Sequence, residues 1–134
     1  MTGRTRVALV DDDASVRRAL ARLLRCSGYD VDTYATAESF LQRSAAESID
    51  CALVDVRMTG ETGLALTKLL RTAGITIPVI LMTGDADVKL AAKAARCGAF
   101  ALLSKPLNDA AIVEAIEGAV AGRGSALAGR ADSG

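Results

Sequence analysis

Four short clusters of polar residues each follow an apolar run. Asp11, Asp12 and Asp13 come directly after Val7-Ala8-Leu9-Val10, and Asp55 follows Cys51-Ala52-Leu53-Val54. Thr83-Gly84 follows Val79-Ile80-Leu81-Met82, and Ser104-Lys105-Pro106 follows the run from Ala99 to Leu103. Carboxylates crowded together raise one another's cost of ionisation, so such a group needs positive charge nearby. Mg²⁺ suits it, being a hard cation that prefers oxygen ligands and keeps several waters. Lys105 supplies a second positive charge. With both in place, Asp55 is a candidate nucleophile toward phosphorus, forming an aspartyl phosphate. The metal and Lys105 would share the charge on the transferring oxygens. Histidine is absent from the chain, which removes imidazole acid–base chemistry, Ser-His-Asp triads and imidazole metal sites.

These clusters meet only if the apolar runs lie side by side. Four of the five runs, at 7–10, 51–54, 79–82 and 99–103, are nearly continuous, as in strands buried on both faces. The run from Val31 to Tyr34 alternates more and reads as an edge strand. Helical patterns fill the intervals. Val16, Leu20, Leu23 and Leu24 form one apolar stripe, stopped by Gly28. A second helix starts at Thr36 or Ala37 and carries Phe40 and Leu41. Leu64, Leu66, Leu69 and Leu70 mark a third, ended by Gly74. Val88 to Arg96 is an alanine-rich fourth, closed by Gly98. Asn108 or Asp109 caps a fifth, with Ile112, Val113, Ile116 and Val120 inward. Alternating βα units imply an α/β protein, a parallel sheet with helices on both faces and right-handed crossovers. Five strands suit the flavodoxin-like (βα)₅ order 2-1-3-4-5; a Rossmann half is the alternative order. In the first order, Asp11 and Asp12 face Asp55 at the carboxyl edge, where open parallel sheets bind ligands, and Thr83 and Lys105 approach from its other side.

Composition is that of an ordinary globular domain. The chain has 134 residues, 51% hydrophobic and 24% charged, enough to bury a core without disulfides or structural metal. Lys plus Arg number 16 and Asp plus Glu 16, so no basic excess favours direct nucleic-acid contact. Cys26, Cys51 and Cys97 lack zinc-site or paired spacing and are expected to pack as small hydrophobes. No apolar run is long enough to span a bilayer. The short polar stretch from Met1 to Arg6 does not read as a signal peptide, and the expected location is cytoplasmic. Residues 122–134 have the composition of a flexible tail or linker.

Val10-Asp11-Asp12-Asp13, Leu53-Val54-Asp55-Val56-Arg57-Met58, Met82-Thr83-Gly84 and Lys105-Pro106 together resemble the receiver domain of two-component response regulators, most of all receivers that precede a LuxR-type helix-turn-helix domain. The resemblance covers roughly residues 5 to 121. It implies a phosphoacceptor signalling domain rather than an enzyme acting on other substrates. Asp55 would take a phosphoryl group from a partner histidine kinase. Asp11 (through water), Asp12, Asp55 and the Arg57 backbone carbonyl would hold Mg²⁺. Thr83 and Lys105 would contact the phosphoryl oxygens, and the Lys105-Pro106 bond would be cis. Phosphorylation would switch the face formed by the fourth helix, fifth strand and fifth helix, through which the domain would form a homodimer or engage an output domain or partner, in transcription regulation. The chain departs from the pattern at three positions. Thr59 replaces a usual proline, and Leu107 a common phenylalanine. Leu102 stands where the family often has Tyr or Phe, an aromatic that changes rotamer on activation; Phe100, two residues earlier, would share its strand face by period.

Other functions fit the same residues less well. A Mg²⁺-dependent phosphatase of the haloacid-dehalogenase type would carry a second Asp two residues after the nucleophile, where this chain has Arg57. A flavodoxin-like cofactor-binding module would need a phosphate cradle after the first strand, where three aspartates repel phosphate. No G-x-G-x-x-G or Walker motif is present. A phosphorylation-independent interaction domain would leave the set Asp11, Asp12, Asp55, Thr83 and Lys105 without a role. Asp13 reads as the cap of the first helix. Arg57 and Asp85 read as an exposed pair beside the site, either a weak surface contact or a gate on water reaching the aspartyl phosphate.

Overall fold

The computed structural model of the chain describes residues 4–43, 48–57, 62–85 and 87–124. Five strands alternate with five helices: β1 (Arg6–Val10), α1 (Ala14–Cys26), β2 (Asp30–Tyr34), α2 (Ala37–Arg43), β3 (Cys51–Asp55), α3 (Gly63–Thr72), β4 (Val79–Thr83), α4 (Val88–Cys97), β5 (Ala101–Ser104) and α5 (Asp109–Gly124). All four strand pairings are parallel and the order is β2-β1-β3-β4-β5. The flavodoxin-like order expected from the sequence is therefore the one observed.

Strand parity sorts the core into two layers. Val7, Leu9, Cys51, Leu53, Ile80 and Met82 face α1 and α5, packing on Leu20, Leu24, Ile112 and Ile116. Ala8, Val10, Ala52, Val54 and Leu81 face the opposite side, against Phe40, Leu66, Leu70 and Ala94. Every position of β3 and β4 is buried, which is why those strands read as unbroken apolar runs. Each large side chain so buried contributes roughly 1.5–3 kcal/mol.

Side chains fix where the helices begin. Asp13 accepts hydrogen bonds from the Ser15 and Val16 backbone N–H groups at 2.9 and 3.2 Å. Asp87 accepts from the Leu90 N–H at 2.7 Å, and Asn108 from the Ala111 N–H at 3.1 Å. Each supplies an acceptor to a donor that the first turn leaves unpaired.

Several expectations need correction. The last apolar run is an edge strand, not one buried on both faces: β5 begins at Ala101 and its residues are only partly buried or exposed. Phe100 lies before that strand and is exposed, and a Cβ at Gly118 of α5 would lie 3.6 Å from its Cζ. Leu102 instead packs in the α3–α4 layer, so the period-2 argument fails because Phe100 is outside the strand. Leu69 is exposed, since Leu66 and Leu70 already fill the inward face of α3. Cys26 is exposed at the end of α1, while Cys51 is buried and Cys97 partly so. Helix α5 continues through Gly124; the rest of the expected tail, residues 125–134, lies outside the described residues, as do Met58 and Thr59.

Candidate functional site

The carboxyl ends of β1, β3 and β4 bring the expected residues together. Carboxylate oxygens of Asp11, Asp12 and Asp55 all lie within 4.8 Å of one another. Asp11 is fully buried and Asp55 nearly so, while Asp12 is exposed. Lys105 reaches in from the end of β5, its Nζ 3.4 Å from Asp55 Oδ2 and 3.6 Å from Asp11 Oδ2. The Lys105-Pro106 peptide is cis. Thr83, also buried, is one residue beyond Met82, the β4 partner of Asp55. Its Oγ1 accepts the Asp85 N–H at 3.1 Å, and its carbonyl accepts the Lys105 N–H at 2.7 Å. Arg57 donates its backbone N–H to Asp55 Oδ1 at 3.2 Å. Its guanidinium lies 3.7 Å from Asp85, with both side chains about 80% exposed.

Electrostatics at the site are costly. Burial pushes the Asp11 carboxyl above its ordinary range. The neighbouring carboxylates of Asp55 and Asp12 push it the same way, against a backbone hydrogen bond from Asp13 and the charge of Lys105. Asp13 is opposite in behaviour: bonds from Ser15 and Val16 hold it below its ordinary value, in keeping with a capping role. Asp11 Oδ2 is buried and accepts no hydrogen bond among the described residues. Its ion pair with Lys105 Nζ, at 3.6 Å, is too long for a hydrogen bond, so the oxygen keeps capacity for a further partner. Three carboxylates converging on one point offer the all-oxygen donor set that a hard divalent cation takes, so these residues fit Mg²⁺.

Two contributors escaped the sequence reading. Gly63, the first residue of α3, packs directly behind the site: a Cβ there would lie 2.5 Å from the Asp55 carbonyl oxygen and 3.1 Å from the Leu81 side chain. Only glycine lets α3 approach so closely. Arg17 donates from Nη1 to the Asp11 carbonyl at 2.7 Å. Its only trace in the sequence is a cation in the first turn of a helix, where the helix dipole disfavours positive charge.

Comparison with known proteins agrees with this architecture. The family model described as the response regulator receiver domain matches residues 7–117. The chain is 44% identical over 110 residues to the transcriptional regulatory protein FixJ of Azorhizobium caulinodans, covering 82% of this chain and 52% of that protein. It is 36% identical over 115 residues to the transcriptional regulatory protein TdiR of Thauera aromatica, covering 86% of this chain and 51% of that one. The chain thus spans about half the length of the curated relatives it matches. Among solved structures, the crystal structure of FixJ-N superposes with a TM-score of 0.80 at 36% identity, covering 89% of this chain and 95% of that one. The response regulator StyR gives 0.85 at 32% identity, covering 98% and 66%.

Proposed function

This chain belongs to the response regulator receiver domain family, and on that premise we propose that Asp55 is its phosphoacceptor. The observation that carries the reading is the charge arrangement: Asp55 is nearly buried, shares a 4.8 Å cluster with Asp11 and Asp12, and has the Lys105 ammonium 3.4 Å away. A partner histidine kinase presents a phosphohistidine. One Asp55 carboxylate oxygen attacks the phosphorus in line, an O–P bond forms, the P–N bond breaks, and the leaving imidazole takes up a proton. Positioning and fixed charge do most of the work in such transfers. Lys105 already faces Asp55 Oδ2 and would follow the charge onto the phosphoryl oxygens. Thr83 would exchange its bond to the Asp85 N–H for one to the phosphoryl group.

Asp12, Asp55, the Arg57 carbonyl and Asp11 (through water) would hold Mg²⁺. When bound, the ion supplies charge neutralisation for the transferring oxygens. Asp11 Oδ2, buried and paired with Lys105 only at 3.6 Å with no hydrogen bond among the described residues, supports this assignment. Among the described residues, no helix is long and apolar enough to cross a membrane, which is compatible with action in the cytoplasm.

Release of the Thr83–Asp85 bond would reach α4 first. Ala94 is that helix's single buried residue, and in its amino half Val88 is 85% exposed while Leu90 packs partly buried on the core, so that half is lightly held. The switch therefore shifts the α4-β5-α5 face, which pairs with a second copy or with an output domain. Matching relatives are transcriptional regulators of which this chain covers about half, and control of transcription through such an output, without nucleic-acid contact by the receiver itself, is proposed from that likeness. Borohydride reduction of the phosphorylated chain tests the acceptor. Homoserine at residue 55 is the expected product on peptide mass analysis, and homoserine at 11 or 12 would refute it. For the switch, unchanged amide exchange in α4 on phosphorylation would refute movement there.

A further inference from the structure

We propose that Arg17 is a positioning residue that fixes Asp11 for divalent-cation binding. The inference rests on the reading of the acidic cluster as a cation site and adds a residue to it.

Asp11 is held at nearly every polar atom. Its N–H donates to the Tyr34 carbonyl at 3.1 Å. Its carbonyl accepts from Arg17 Nη1 at 2.7 Å. Its Oδ1 accepts from the Asp13 N–H at 2.9 Å. Only Oδ2 is left without a hydrogen bond, and that oxygen lies nearest Lys105. The backbone bonds on either side of the Cα set the direction in which the carboxylate projects. The bond from Arg17 is charge-assisted and short, which places it among the strong ones.

Arg17 is also in an unfavourable place for its charge. It is the fourth residue of α1, a helix with no acidic residue in its first turn, and positive charge there opposes the helix dipole. Ordinary helix design would put Arg elsewhere. Local rules broken in this way mark positions where another requirement prevails. Here the requirement is a donor for the Asp11 carbonyl, which is buried at the end of β1. Arg18, adjacent and exposed, carries the same charge without that bond and serves as the natural control.

The sign of the effect separates a tether from a simple field. Removing a positive charge near a cation site strengthens cation binding by Coulomb's law. Removing a tether weakens it, by about 10-fold or more for partners that orient metal ligands. The experiment is a Mn²⁺ titration of the full chain, with free Mn²⁺ read by electron paramagnetic resonance, for wild type, R17A, R17K, R18A and D11N. The expected result is a dissociation constant about 10-fold weaker in R17A. R17K should recover part of the loss, and R18A should bind like wild type or slightly tighter. R17Q carries the same expectation as R17A if the latter does not fold. Binding in R17A as tight as wild type, or tighter, would overturn the positioning role. Equal binding by wild type and D11N, or none by wild type, would instead overturn the cation-site reading and this inference with it.

Discussion

The two edges of the sheet treat charge in opposite ways. At the amino edge, acids meet arginines. Arg6 lies 3.1 Å from Asp32 and 3.8 Å from Asp30, its backbone N–H donates to Asp50 at 2.8 Å, and Arg4 reaches Asp30 at 3.8 Å. Arg71 there donates to the carbonyls of Ile75, Ile77 and Gly98, tying the starts of β4 and β5 to the end of α3. At the carboxyl edge, Asp11 and Asp55 share Lys105, and Asp12 lies in the same carboxylate cluster. The first edge is arranged for stability. The second keeps an imbalance that a cation and a phosphoryl group would relieve, and local satisfaction is characteristically given up at functional sites.

That contrast is sharpest if mutations at the two edges change different observables. Lys105→Ala should slow phosphorylation by acetyl phosphate about 100-fold, roughly 3 kcal/mol of transition-state stabilisation. A rate within a few-fold of wild type would remove Lys105 from the reaction. Arg71→Ala should lower stability in urea by about 2 kcal/mol, because three carbonyls lose a charged donor, with the phosphorylation rate unchanged at 25 °C. A loss of rate without a loss of stability would break the division between edges.

Asp11→Asn should stabilise the metal-free protein at pH 7 by on the order of 1 kcal/mol, since it neutralises a buried carboxylate facing two others. The pH dependence follows in sign. Burial raises the Asp11 pKa in the folded chain, so between the unfolded and folded values the folded state holds more protons. Its contribution to stability is thus greatest below the unfolded value and falls as pH rises through the folded one. Thermal melts across that window should show wild type losing stability relative to Asp11→Asn; parallel curves would contradict the assignment. The smallest effect is expected at Arg57, whose pair with Asp85 is exposed. Arg57→Ala should change stability by less than about 0.5 kcal/mol. Equal dephosphorylation rates in this variant and wild type would dismiss a gating role.

Much of this was legible in the sequence for a physical reason. Strands buried on both faces, such as β3 and β4, must be apolar throughout, and the first polar residue after each one sits at the binding edge. Asp11 and Asp55 could be found in that way; Thr83 and Lys105 drew their roles from the family resemblance, since alone they read as a turn residue and a surface lysine. Burial at the sheet's ends was less legible, because an apolar run like 99–103 looks the same in a central strand and in β5. The direction of Phe100 depended on a strand boundary one residue away. Arg17, Gly63 and Arg71 act on backbone atoms of other elements or turns, as in the bond from Arg71 to Gly98, and no periodicity reports such contacts.

The central claim is best tested by intact mass after incubation with acetyl phosphate, with and without Mg²⁺, for wild type and Asp55→Asn. The account predicts a Mg²⁺-dependent gain of one phosphoryl group in wild type and none in the variant. A gain that persists in Asp55→Asn, or no gain in wild type, would contradict it.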